Sequence, residues 1–106
     1  MRQLGDVHDR TDTDPRPTPL RVVVVSHDLY NMGTGLAFVC PVYPDDGSAS
    51  ADYPLFVHCQ VAGASAFVIP DQVYRMPVAG LGDRPVDRPA PPVLERIRAT
   101  IRGIFA

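Results

Sequence analysis

The run Arg21-Val22-Val23-Val24-Val25-Ser26 restricts the possible folds of this chain more than any other feature. Valine is stiff at χ1 and fits a pleated surface. In a strand, neighbouring side chains point to opposite faces, so consecutive valines place apolar groups on both. Both faces then need cover, which calls for a sheet with another layer packed against it. The 106 residues can bury one modest core, so the reading is a single domain over residues 1–106. A hydrophobic content of 45% is that of a globular chain, too high for a disordered one.

Weaker strand signals surround this one. Gly5-Asp6-Val7-His8 reads as a short first strand, and Leu36 to Val42 as a nearly all-apolar later one. Pro41 has no N–H to give, which suggests an edge, a bulge or a last pairing position. Leu55 to Val61 alternates, with Leu55, Val57, Cys59 and Val61 on one face and Phe56, His58 and Gln60 on the other. After a turn at Gly63, Ser65 to Ile69 is a further strand, and Asp71 to Met76 follows with Val73 and Met76 as core. Between these lie segments read as loop or turn. Arg10 to Pro19 contains Pro17 and Pro19, His27 to Gly35 is rich in turn residues, Pro44 to Asp52 is polar, and Pro77 to Pro92 is studded with Gly and Pro.

The C-terminus changes period. Val93, Ile97, Ile101 and Ile104 make one helical face, flanked by Leu94 and Phe105, while Glu95, Arg96, Arg98 and Arg102 lie mostly off it. Pro91 and Pro92 suit the helix start, and Arg98 and Arg102 its negative end. Strands first and a packed helix last give the α+β class, a small antiparallel sheet with a C-terminal α-helix laid on it.

The net charge of −2 does not advertise a nucleic-acid binder, though every one of the 10 basic side chains is arginine, whose planar fork suits phosphate. No signal peptide is visible, and no apolar stretch approaches the roughly 20 residues that cross a bilayer. Cys40 and Cys59 sit in apolar strand-like runs and read as buried, reduced side chains, which points to a cytoplasmic protein. Asp12 and Asp14 lack a third ligand and read as solvated carboxylates, so no metal site is expected.

Several of these segments, in order, resemble the MazF (PemK, Kid) toxins. Gly5-Asp6-Val7 resembles the family's opening strand, and Val22 to Asp28 with Asn31 its apolar run ending in Ser-Asn-Asp and then Asn. Phe38-Val39-Cys40-Pro41-Val42, Tyr53-Pro54 through Val57, Asp71-Gln72-Val73-Tyr74-Arg75 and the final helix resemble its later elements. The resemblance implies a CcdB/MazF-like twisted antiparallel sheet with a barrel-like curl. It also implies a homodimer, and a cognate antitoxin with an acidic disordered tail. The implied activity is metal-free cleavage of single-stranded RNA at short sequences, needing no cofactor. In that chemistry the ribose 2′-hydroxyl attacks its neighbouring phosphate, which calls for a proton acceptor, a proton donor and cations around the phosphorane.

Two positions depart from the pattern. The family's catalytic Arg falls on Leu20, with Arg21 in the place of the following Pro, and the family's Thr falls on Tyr43. A one-residue slip on a strand turns a side chain to the other face, so either a bulge returns Arg21 to the groove or this Arg is not catalytic. The catalytic candidates are Arg21, to hold phosphate, and Tyr43, to donate a proton or stack. The RNA-binding candidates are Gln72, which can read a base edge, with Asp71, His27 and Arg16. Histidine is the side chain suited to proton transfer near neutral pH, but His8 and His27 read first as surface or turn histidines, and His58 as half-buried scaffold. Two other readings stay open. One is a CcdB-like gyrase poison, faintly suggested by Ile101-Arg102-Gly103-Ile104, and the other is a homologue that binds antitoxin without chemistry.

Overall fold

The computed structural model describes residues 3–12, 20–45 and 55–105. Arg16, Asp14 and the Tyr53-Pro54 pair fall outside these residues. The strands are β1 (Val7–Asp9), β2 (Arg21–Val24), β3 (Leu36–Pro44), β4 (Val57–Val61), β5 (Ala64–Val68) and β6 (Tyr74–Pro77). They form one antiparallel sheet in the order β1-β2-β3-β5-β4, with β6 also paired to β3. The C-terminal helix closes the chain over Pro91–Phe105. The long strand β3 organises the sheet. On one edge it carries β2, which pairs with its residues Val39 to Val42. On the other edge β6 takes Leu36 to Val39 and β5 takes Val42 to Pro44. Cys40 and Pro41 face the gap between β5 and β6, so the missing N–H of Pro41 removes no rung on that edge. Pro41 is thus neither at a sheet edge nor at the end of its strand, which runs on to Pro44.

The valine run is covered on both faces, as its lack of alternation requires. Val23 joins Val7, Cys40, Val42, Val57, Val61, Val68 and Ile97 in one core, with the C-terminal helix laid over it. Val22 and Val24 join Ala37, Val39, Met76 and Leu81 in a second, smaller core on the opposite face. Leu81, 1% exposed, comes from the Gly- and Pro-rich stretch read as plain loop. That stretch runs beside β1 through bonds from Thr11 N to the Gly80 carbonyl and from Gly82 N to the Asp9 carbonyl.

The sequence reading missed a helix. Residues read as turn punctuation after β2 form α1 (Asp28–Thr34). His27 caps it, accepting the Leu29 N–H at Nδ1, and Gly35 ends it in the left-handed region at φ 69°. Ser26 and Asn31 tie this helix to the sheet. Asn31 Nδ2 donates to the Ser26 carbonyl, and Ser26 Oγ hydrogen-bonds Asn31 Oδ1 while accepting the Phe38 N–H. The Ser26-His27-Asp28…Asn31 pattern is therefore a structural joint. The C-terminal helix is labelled α2 (Pro91–Phe105). It buries Ile97 completely and Val93 and Ile101 partly, whereas Ile104 and Phe105 are exposed.

Candidate functional site

Residues opposite one another in an antiparallel pair share a face. Arg21 pairs with Val42 and Asp9, so its side chain belongs to the face of Val23, Val42 and the larger core. Tyr43 lies one residue on, on the other face, with Val39 and Pro41. Tyr74 pairs with Val39 and joins that second face. Arg10, one residue beyond Asp9, joins it as well, because β1 alternates through Val7 and Asp9 on the first face and His8 on the second.

On this second face Arg10, Tyr43, Gln72 and Tyr74 surround a cleft of about 240 Å³, floored by Val22 and Pro41. The cleft sits at the gap in β3's pairing, beside the 3-10 turn Pro70–Gln72 that separates β5 from β6. Tyr43 Oη donates to Gln72 Oε1 at 3.2 Å. Arg10 is held in place by two parallel bonds to Asp12, Nε to Oδ1 at 2.9 Å and Nη2 to Oδ2 at 3.0 Å. Its Nη1 donates to Tyr74 Oη at 3.0 Å, and its guanidinium carbon lies 5.6 Å from the centre of that ring. The Asp12 hydrogen bonds hold the Arg10 pKa above its ordinary value, and the Arg10 contact holds the Asp12 carboxyl below its own. Gly80 makes room for this clamp. A Cβ there would stand 2.6 Å from Asp12 Oδ2 and 2.8 Å from its Cγ.

The candidates read from the sequence separate into groups. Tyr43 and Gln72 meet directly in the cleft. Arg21 reaches only its rim and is held on the other face by Asp9 at 2.9 Å, so no bulge returns it beside Tyr43. Asp71 is exposed in the turn before Gln72 and helps to raise the buried Cys40 thiol, which desolvation chiefly pushes up to about 12. His27 caps α1 beyond the far end of β2. His8 is fully buried, contrary to the surface reading, because the loop through Gly82 covers it and places a carbonyl 2.9 Å from its Nδ1. His58 is exposed where half-burial was expected, and stands edge-on to Phe56 at 4.8 Å. Arg10 was read as loop. The period-2 alternation of Val7-His8-Asp9, carried one residue further, was the signal that would have placed it on the other face from Arg21.

Residues 5–103 match the family model for the type II toxin-antitoxin system toxin Rv0299. No curated protein matches by sequence. Among solved structures, the chain is similar to MazF from Deinococcus radiodurans in its MazE-MazF complex (form III). The TM-score is 0.76 at 20% identity, over 97% of this chain and 94% of that one. MazF alone from the same organism gives 0.76 at 21% identity, over 97% and 94%. An endoribonuclease in complex with its cognate antitoxin, from a mycobacterial species, gives 0.73 at 15% identity, over 97% and 91%. At these identities the structural likeness speaks for the fold, a curled antiparallel sheet with a C-terminal helix.

Proposed function

Because the chain belongs to the Rv0299 family of type II toxin–antitoxin toxins, we propose that it acts as a metal-independent endoribonuclease on single-stranded RNA. The observation that carries this reading is the meeting of a clamped arginine, a tyrosine hydroxyl and a glutamine amide in one cleft. In this reading Arg10 faces the scissile phosphate and stabilises the charge that grows when the 2′-hydroxyl attacks it. Asp12 fixes the guanidinium, leaving its remaining N–H groups for phosphate oxygens. Tyr43 donates a proton to the departing 5′-oxygen, water takes up the 2′-hydroxyl proton and returns one to the phenolate, and Gln72, which orients that phenol, contacts a base edge. The products are a cyclic phosphate end and a free 5′-hydroxyl. Arg21 is the rim cation, steering the strand electrostatically.

The antitoxin partner follows from family membership; its acidic tail belongs to the proposal. A larger groove of about 370 Å³ lies between α2 and the sheet, lined by Val25, Phe38, Val73 and Ile101 and rimmed by Arg98 and Arg102. An apolar floor with cationic rims suits a chain that carries both acidic and apolar side chains. We also propose a homodimer, which would cover the exposed Ile104 and Phe105.

Mapping RNA ends after induced expression, and after incubation with purified protein, tests the reading. Wild type is expected to leave 5′-hydroxyl ends, with Arg10→Ala and Tyr43→Phe each slowing cleavage at least about tenfold. Arg21→Ala is expected to cost less, mainly at low salt. Full-rate cleavage by Arg10→Ala would remove the clamp from the mechanism. Inhibition of gyrase supercoiling with no RNA cleavage would replace the nuclease by a binder.

A further inference from the structure

We propose that the row of rings crossing the sheet from the cleft, Tyr43 on β3, Phe67 on β5 and Phe56 beside β4, is a stacking platform for nucleotides flanking the one in the cleft. The proposal rests on the nuclease reading and extends it, making the substrate a single strand several nucleotides long. The register generates the row. Tyr43 pairs with Phe67, and Phe67 pairs in turn with His58, with Phe56 two residues earlier on the same face. Val42, Val68 and Val57 alternate with these residues and point into the larger core, so the rings stand on the opposite face, that of the cleft. Tyr43 and Phe67 are stacked at 5.5 Å with an interplanar angle of 29°, and Phe56 follows at 5.5 Å from Phe67.

A sheet face turned to solvent is ordinarily polar. This one offers aromatic surface, with Tyr43 37% exposed and Phe67 and Phe56 half-buried. Bases stack on such rings with little regard to sequence. Charge sets the direction and the limit of the track. Arg10 supplies the cation at the cleft end, where a phosphate is needed. Beside the row the Asp45 carboxylate lies 3.8 Å from His58 Nδ1 and repels a phosphate there. An RNA strand fits this arrangement, its bases on the rings and a phosphate on Arg10 and Arg21 where the row meets the cleft.

The test uses the full chain and a series of oligoribonucleotides of increasing length around the mapped cleavage site, blocked by 2′-O-methyl riboses. Binding is read by fluorescence anisotropy. Wild-type affinity is expected to rise with length. Phe67→Ala and Phe56→Ala are expected to lose about tenfold of that gain while binding the shortest oligonucleotide as wild type does. Phe67→Tyr should restore the gain, and Phe67→Leu keeps the apolar volume if the alanine variant does not fold. An unchanged gain in Phe67→Ala or Phe67→Leu, with RNA still cut, overturns the platform and leaves the nuclease standing. Loss of antitoxin binding in those variants with the length gain intact assigns the rings to a protein contact and overturns it too. A wild-type protein that neither cuts nor binds any RNA overturns both proposals together.

Discussion

Ala62 and Gly63 form the two-residue turn between β4 and β5, at φ 52° and φ 81°. Both values lie in the left-handed region, which gives the twist that a tight hairpin wants and which costs a residue with a Cβ about 1–2 kcal/mol. Alanine carries that cost with no side-chain bond to offset it, and the space around Gly63 is open. Ala62→Asn, creating the Asn-Gly pair that such turns favour, is expected to raise unfolding stability by about 1 kcal/mol, read from the urea midpoint at unchanged slope. A lower midpoint would show that the backbone here is relieved in another way. The residue scale is also where sequence reading was weakest. Whether Arg10 or Arg21 faces Tyr43 turns on a single step of strand phase, which the alternation through Val7-His8-Asp9 continues to Arg10. The face of Tyr43 was legible because it follows directly on an apolar run, whereas Gln72 follows Pro70 and Asp71 in a turn, where alternation sets no face. The burial of His8 was not legible either, since the cover comes from Gly82, far along the chain.

At the scale of elements, apolar pattern carried most of the fold. The valine run, the alternation of β4 and the spacing of Val93, Ile97 and Ile101 each became the element they suggested. The helix α1 was not readable because His27, Gly33 and Gly35 are turn formers, and its anchor, Asn31 against Ser26, is a polar contact that periodicity does not report. One loop residue ties two elements together. Asp87 accepts the Ala62 N–H at 2.7 Å, pinning the β4–β5 turn to the segment before α2, and also accepts the Arg88 N–H at 2.7 Å. These bonds hold its carboxyl below the ordinary value of 3.8. The folded state therefore gives up this proton more readily than the unfolded chain. The stabilisation is fully present above about pH 3.8 and fades as pH falls through the depressed folded value. Asp87→Asn is expected to be less stable than wild type at pH 7, with the difference shrinking in acid below 3.8, as followed by circular dichroism during acid unfolding. A difference that is constant with pH would show that packing, and not the charge, is what the residue supplies.

In the whole molecule, a larger core lies under α2 and a smaller one under the Leu81 loop, so the sheet is a partition between two apolar layers of unequal depth. Truncating Ile97, which is fully buried between α2 and the sheet, is expected to cost about 2–5 kcal/mol in Ile97→Ala, measured by thermal or chemical denaturation. A much smaller loss would mean that α2 docks through its ends. The break in pairing along one edge of β3 has a consequence for how the molecule breathes. Amides of the β4–β5 hairpin depend on only the last three residues of β3, while those of β6 depend on its first four. The two stretches are expected to trade their hydrogens for deuterium as separate groups, each opening without the other, around a midpoint that β2 pairs on one side and the Ile69 N–H bonds on the other. The cleft lies over that midpoint, so loosening of β6 would move the wall that carries Tyr74 while β1 and β2 keep Arg10 and Arg21 in place.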